Sequence, residues 1–279
     1  MASVVIPAHN ESAVIGRLLE QLKTLVEQAD YDVTVVANGC TDDTADIAAS
    51  FGPGIRVLSI PVASKHEALK AGDRVALGFP RIYIDADVEL TGRDIKALGE
   101  ALRRPGTLAA APQRDLVLVG RPWLVRWYYD VWERLPEVRT GIFGRGAIAV
   151  NEAGHSRIAV LPPLLADDLA ASLAFSPSER VVVGQAHSIV HAPRTAGDLL
   201  YRRIRAATGV AQVERAEGAP DSTARTRFLD LFAIVFQKPT LAPKVLVFSV
   251  VAVLARIRAA RAIRKNGYSN WLRDESSRC

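Results

Sequence analysis

Cysteine is nearly absent from the 279-residue chain, with only Cys40 and Cys279, and there is a single methionine. Two cysteines so far apart give neither a disulfide framework nor metal-ligand spacing, so a reducing cytoplasm is the expected setting. Nucleic-acid binding would want a basic groove with exposed stacking aromatics, and the acidic strand ends "NGCTDD" and "DAD" argue against it. No apolar run reaches the roughly 20 residues of a membrane helix. The longest, "VLVFSVVAVLA" at 245–255, is about half that and is expected to be too short to span. The strand-like "SVVIP" begins at residue 3, so no signal peptide is expected. G-x-G-x-x-G is missing after that first strand, which argues against a dinucleotide oxidoreductase. "PAHNESAVIG" is also not the glycine-rich, basic loop of a sugar-phosphate nucleotidyltransferase.

What is present is apolar bulk and positive charge. Hydrophobic residues make up 49%, the formal net charge is +5 and the pI is about 9.4. Arginine supplies most of the basic charge. A chain of this size can bury a substantial core, and a basic one is expected to meet an acidic partner such as a phosphorylated substrate or anionic lipid.

The first hundred residues alternate strand and helix. "SVVIP", "DVTVVA" (32–37), "IRVLSI" (55–60) and "RIYIDAD" read as buried strands. Apolar residues at 14, 15, 18, 19, 22 and 25 have helical spacing, with Ser12 as a candidate cap. "TADIAASF", "KHEALKAGDRVAL" and "GRDIKALGEALRR" are the next helices. This alternation predicts a parallel, doubly wound sheet covered on both faces. Ligands bind such sheets beyond the carboxyl ends of the strands. Those ends, "PAHNE", "NGCTDD" and "DAD", are all polar and should converge on one edge.

The second half is less regular. "RPWLVRWYYDVWERL" (121–135) reads as an aromatic helix, in which Trp123, Trp127, Tyr128 and Trp132 suit either core packing or stacking on an acceptor. "ERVVVGQAHSIVHAP" reads as two short strands and "LLYRRIRAATG" as a basic helix. Beyond about 222 the chain is helical and apolar, broken by Pro239 and Pro243. "ERAEGAPDSTARTR" (214–227) is the candidate loose stretch.

Asp85 and Asp87 close an apolar strand. An isolated D-x-D is most often a solvated strand end. Alternation along a strand, however, puts both carboxylates on one side, where a hard divalent cation would neutralise them. Mg²⁺ or Mn²⁺ takes one or two protein carboxylates and fills its other sites with water and phosphate oxygens.

"VVIPAHNE", "VVANGCTDDTA", "KHEALKAG", "YIDADVEL", "GIFGRGAIAV" and "ADDLAASLAF" stand in the order and spacing of family 2 glycosyltransferases, which the sequence resembles over roughly residues 3 to 210. The resemblance implies the GT-A fold, a Rossmann-like mixed α/β sheet flanked by helices. A catalytic domain at 1–215 would comprise a nucleotide-sugar half (1–112) and an acceptor half (113–215). A C-terminal helical appendage would follow at 216–279. It also implies a nucleotide diphosphate sugar donor. Pro7, Ala8, Asn10 and Glu11 match the nucleoside loop. Asn38 stands where the family usually has a base-reading Asp, a departure that weakens an assignment to uracil. Lys65 matches a basic residue near the nucleotide. Asp85 would contact ribose or metal-bound water, and Asp87 would ligate Mg²⁺ or Mn²⁺ together with it.

In the same register Asp167 takes the Glu place and Asp168 the place of the catalytic base. Without the resemblance, both read as a helix N-terminus rich in Asp. "RRIRAATG" is similar to the family's diphosphate-binding segment. Arg205 falls on its Arg, Arg202 replaces a Gln, and Ala206 replaces a channel-lining Trp, which favours single transfer over polymerisation. Arg202, Arg203 and Arg205 could fork onto the leaving diphosphate, or form a solvated helix face. His187 and His191 are structural histidines or a late metal ligand.

The sequence therefore predicts a metal-dependent, inverting glycosyltransferase acting on a hydroxyl acceptor, which can be a glycan, a small molecule or a lipid-linked sugar. A polyprenyl-phosphate glycosyltransferase and a non-catalytic subunit of a polysaccharide assembly complex are the alternatives. Stretch 241–265, with Arg256, Arg258, Arg261, Arg264 and Lys265 after its apolar run, suits an interfacial helix on the inner face of a membrane. A core helix or a homodimer contact is the competing reading. Nucleic acid is not an expected partner.

Overall fold

A computed structural model describes residues 1–27, 31–162, 167–215 and 228–266. The stretch 214–227 therefore lies mostly outside the described residues, as does Cys279. The chain runs β1 (Ala2–Ala8), α1 (Ile15–Glu27), β2 (Tyr31–Asn38), α2 (Thr44–Ala49), β3 (Ile55–Ile60), α3 (Lys65–Val75), β4 (Arg81–Ile84), α4 (Gly92–Ala101) and β5 (Ala109–Val117). It continues through α5 (Trp123–Trp132), α6 (Pro136–Thr140), β6 (Ala147–Val150), α7 (Glu152–Ile158), α8 (Asp167–Leu173), β7 (Arg180–His191), α9 (Ala196–Arg215), α10 (Phe228–Gln237) and α11 (Ala242–Asn266).

The strands form one sheet in the order β3-β2-β1-β4-β6-β5-β7. β1 to β4 are parallel, as the alternation predicts: Val5 faces Thr34 on one side and Tyr83 on the other. β6 runs antiparallel to both β4 and β5, and β5 is parallel to β7. The sheet is thus mixed, because the link from β5 to β6 brings the chain back between β4 and β5.

Residues 180–191 form one 12-residue strand rather than two short ones, with a register shift opposite Pro112/Gln113. The shift lets a single strand bend where two were expected. Ser12 does not begin a helix either. Helix α1 starts at Ile15, and the Ser12 N–H donates to Asp42 at 3.1 Å.

One sheet face carries α1, α2 and α4. Val4, Ile6, Val33 and Val35 pack there against Leu18, Leu22, Ile95 and Leu98, all essentially solvent-free. The other face is covered by α3, α7 and α8 over Val5, Val36, Tyr83 and Val150. The third apolar cluster joins α5, α9, α10 and α11. Tyr128 stacks on Phe248 at 4.9 Å there, and Trp132 lies edge-on to Tyr129 at 5.4 Å. Core packing therefore accounts for Tyr128 and Trp132, while Trp123 stays 58% exposed.

The two C-terminal prolines do not break the last helix. Pro239 opens a 3-10 turn and Pro243 lies in the first turn of α11, where the missing N–H would be unpaired anyway. The helical stretch Pro239–Arg264 is therefore long and apolar enough, by length and composition, to cross a membrane. That corrects the expectation from the apolar run alone, which ignored Leu241, Ala242, Ile257, Ala259 and Ala260 on either side.

Candidate active site

Two loops build one end of the edge, one after β1 and one after β2, and several hydrogen bonds tie them to each other. His9 Nδ1 meets the Asn38 carbonyl at 2.6 Å. Asn10 Oδ1 accepts from Thr41 N at 2.8 Å, and the Asn10 N–H reaches Cys40 Sγ at 3.4 Å. The Glu11 N–H donates to Thr44 Oγ1 at 2.8 Å, and Asp42 holds Ser12. Asn10 adopts φ +50°, a left-handed conformation that Asn tolerates better than most residues.

Asn38 is 2% exposed, and its amide nitrogen donates to the Ala8 carbonyl at 2.8 Å. An ionised Asp could not make that bond. The departure from the family pattern thus has a local use: Asn38 fastens the end of β2 to the end of β1. Asp42 accepts from both Thr44 and Ser12. Burial opposes its ionisation, and these hydrogen bonds outweigh it, holding the carboxyl at about 2.

Asp85 and Asp87 lie just past β4 in a turn rather than on the strand. The alternation nevertheless persists. Ala86, Val88 and Leu90 are buried in the core while 85, 87 and 89 are partly exposed. The Asp85 N–H is fixed by the Gly146 carbonyl at 2.8 Å. Gly146 has φ +69°, and a Cβ there would sit 2.1 Å from Val88 Cγ1, so only glycine fits.

Lys65, the first residue of α3, joins the two acidic pairs. Its Nζ lies 2.7 Å from Asp85 Oδ1 and 2.9 Å from Asp167 Oδ2. Burial favours the neutral amine, but Asp167 and Asp85 reverse the effect and raise its pKa. Burial raises Asp85, Lys65 works against that, and the charges of Asp87 and Asp167 push it further up. Burial would raise Asp167 too, yet its contacts with Lys65 hold it below the ordinary carboxylate range. The two carboxylates that touch Lys65 are thus driven in opposite directions.

Asp168 is positioned from the far side. Its Oδ2 accepts from the Gly144 N–H at 2.7 Å and its Oδ1 from the Leu169 N–H at 2.8 Å. The Gly144 carbonyl in turn accepts from Arg114 Nη1 at 2.8 Å, and the Arg114 guanidinium lies 4.2 Å over the Trp132 ring. Arg145, 2% exposed, donates to the carbonyls of Gly141, Pro112, Val138 and Arg139. Its guanidinium is the internal scaffold of this glycine-bearing turn.

Pro7, Lys65, Asp85, Asp167, Asp168 and Arg205 all line one cleft of about 610 Å³. The structure therefore brings together the strand-end carboxylate, the acidic pair and one arginine of α9. The other two arginines point elsewhere. Arg203 stacks toward Tyr128 and Trp132 at 5.7 and 5.4 Å, and Arg202 donates to the His191 carbonyl at 3.3 Å. Helical geometry explains the split, since neighbouring positions face different directions.

His187 pairs with Asp115 at 2.9 Å and His191 with Glu89 at 3.1 Å. Among the described residues no three His, Cys, Asp or Glu side chains form a ready-made metal cluster. The inner cleft also contains residues that sequence reasoning missed. Tyr83 donates to Asp73 at 2.8 Å, and His155 lies 3.3 Å from the same carboxylate. A signal was present: Tyr83 is two residues before Asp85, and Leu69 and Asp73 follow Lys65 at i+4 and i+8, on one helix face.

Known proteins resemble this chain in sequence and in fold. An uncharacterised glycosyltransferase of Mycobacterium bovis is 29% identical over 141 residues, 48% of this chain and 62% of the relative. The glucosyl-3-phosphoglycerate synthase of Mycobacterium tuberculosis is 32% identical over 152 residues, 44% of this chain and 46% of the relative. The matches thus cover only about half to three-fifths of those relatives.

Among solved structures, a mannosyltransferase from Pyrobaculum calidifontis in complex with GDP-Man and Mn²⁺ aligns with a TM-score of 0.61 at 20% identity, covering 99% of this chain and 84% of that one. The M. tuberculosis synthase with Mn²⁺, UDP-Glc and phosphoglyceric acid aligns with a TM-score of 0.59 at 22% identity, covering 82% and 84%. At these identities the likeness shows the fold, which is GT-A. The sequence profile described as "Glycosyl transferase family 2" matches residues 3–153, more than half of the sequence, and the chain belongs to that family.

Proposed function

We propose that this protein transfers a sugar from a nucleotide diphosphate donor to an acceptor hydroxyl with inversion at the anomeric carbon. The observation that carries this reading is the meeting of Asp85, Lys65, Asp167, Asp168 and Arg205 in one cleft at the carboxyl edge of β1 and β4. The loop of Pro7, Ala8, Asn10 and Glu11, closed by Asn38, would hold the nucleoside.

Asp87 and Asp85 would hold Mg²⁺ or Mn²⁺, which would neutralise charge on the donor diphosphate. The residues present suit such an ion. A cation already lies beside Asp85, in the form of the Lys65 ammonium, and the charge of Asp87 raises the Asp85 pKa, so further positive charge there is favourable. The ion would complete its sphere with phosphate and water, as hard cations do.

Asp168 takes the proton of the attacking hydroxyl, held in place by the Gly144 N–H. General-base assistance of this kind contributes about 10² to 10⁴ in rate. Lys65 and Arg205 face the leaving diphosphate. Arg202 acts one step back, by holding the His191 carbonyl. A lipid-linked acceptor, held close by peripheral membrane contact through 241–265, completes the reading.

The test is calorimetric titration of GDP-sugars and UDP-sugars with and without Mn²⁺, followed by turnover assays. Asp87→Ala should abolish both metal-dependent donor binding and transfer. Donor binding that ignores Mn²⁺ and survives Asp87→Ala would sink the metal-dependent reading.

A further inference from the structure

Helix α10 exposes Phe228 (84%), Leu229 (78%), Phe232 (75%) and Phe236 (89%). At 100° per residue these four lie within one quadrant or so, opposite Ile234, the buried residue that anchors the helix. Helix α11 repeats the pattern. Leu246, Val250, Val253, Leu254 and Ile257 are between 42% and 67% exposed. They follow the i, i+4, i+7, i+8, i+11 rhythm of a single stripe. From Ile257 the same rhythm continues to Arg261 and Arg264, both exposed, with Arg256 and Arg258 exposed on either flank. An apolar stripe that ends in arginines on its own face suits a bilayer surface, where long basic side chains reach up to anionic headgroups.

We infer that the aromatic face of α10 and the exposed stripe of α11 dock together in the interfacial plane of an anionic lipid membrane, without crossing it. The opposite side of α11 decides against crossing. Phe248 and Val251 are buried in the cluster with α5 and α9, and Ala255 and Ala259 pack with Ile204 of α9. Lys244 is ion-paired with Asp130 of α5. Helix α9 carries Arg202, Arg203 and Arg205, so a crossing α11 would drag charged partners into hydrocarbon, which strongly disfavours charged side chains. Lying flat leaves those contacts intact and keeps α9, which carries Arg205 into the cleft, close to the membrane. The docking stands without the transfer reaction. Only its use, presenting a lipid-linked acceptor, rests on the proposed function.

The experiment is co-sedimentation of the full chain with phosphatidylcholine vesicles, with and without phosphatidylglycerol. The wild type should sediment with the anionic vesicles and be released by alkaline carbonate. Phe232→Ser/Phe236→Ser should lose binding to both kinds of vesicle. Arg261→Gln/Arg264→Gln should lose roughly 30-fold on anionic vesicles at about 1 kcal/mol per arginine, and nothing on neutral ones.

Circular dichroism and unchanged donor hydrolysis establish that the variants are folded. Loss of hydrolysis in the wild type would count against the proposed function and leave the docking result standing. Equal sedimentation of wild type and both variants would overturn the inference. Retention in carbonate would also overturn it, by showing a crossing helix. So would a wild-type dimer in light scattering that Phe232→Ser/Phe236→Ser converts to monomer, which would give the face to a second copy.

Discussion

The Gly144 N–H donates to Asp168 Oδ2 at 2.7 Å, and the Gly144 carbonyl accepts from Arg114. One peptide-bearing residue is thus gripped on both sides. The proposed base is located by a backbone whose own place is set by a guanidinium packed on Trp132. Asp168→Asn keeps an oxygen for the Gly144 N–H and removes the basicity. Turnover should fall by about 10² to 10⁴ while donor affinity, measured by calorimetry, stays unchanged. Retained turnover would remove Asp168 from the mechanism.

Lys65→Ala leaves Asp85 and Asp167 without the ammonium that touches both. Thermal stability without metal should drop, and Mn²⁺ should raise the melting temperature more in the variant than in the wild type. An equal Mn²⁺ response in the two proteins would show that the ammonium and the metal do not share the same negative charge.

Asn38→Asp replaces a buried donor aimed at the Ala8 carbonyl with an acceptor. Two acceptors then face each other without water, which costs about 1–3 kcal/mol. Chemical denaturation should register that loss at neutral pH and recover part of it in acid, where the new carboxyl is protonated and can donate. A neutral-pH stability equal to wild type would overturn this role for Asn38.

Asp42 gives the molecule an acid limit. Its folded pKa of about 2 lies below its ordinary 3.8, so the stability it contributes is complete above pH 4 and is lost as the pH falls from about 4 to 2. After allowance for partial solvent contact this is worth about 1 kcal/mol. Asp42→Asn should be less stable than wild type at pH 7 and equal to it near pH 2, as read from denaturation midpoints.

Gly146→Ala adds a Cβ 2.1 Å from Val88 Cγ1 at φ +69°. Overpacking and strain of this kind typically cost 1–3 kcal/mol. Because the Gly146 carbonyl fixes the Asp85 N–H, metal-dependent donor binding should weaken along with stability. Unimpaired Mn²⁺ affinity in a destabilised variant would separate the two effects.

The first half of the fold was legible because its cues are local. Residues 14, 15, 18, 19, 22 and 25 carry the helical period, and Leu18, Leu22 and Leu25 indeed form the buried side of α1. The convergence of polar strand ends was legible for the same reason, since parallel strands force their carboxyl ends to one edge. The second half depends on pairings between distant residues. Nothing near Ala147 announces that it will run antiparallel to Ile84, and in "RRIR" spacing alone does not say which arginine turns to the cleft; the family resemblance pointed to Arg205, while Tyr128 and Trp132 claim Arg203. The D-x-D pair was expected to alternate along a strand, and the strand ends before it. It lies in a turn, and the core-facing Ala86 and Val88 keep its alternation alive. The inner cleft residues Asp73 and His155 carried no signal beyond spacing, because an Asp within a helix ordinarily reads as surface.

The reciprocal ties between the loops after β1 and β2 have a thermodynamic consequence. With His9, Asn10, Glu11 and Ser12 already bonded to 38, 40, 41, 42 and 44, little chain freedom would remain to be surrendered to the nucleoside proposed to bind there. The rim is a rigid mould, so a change in base preference would have to come from exchanging individual side chains within it, because the backbone has no slack with which to reshape itself.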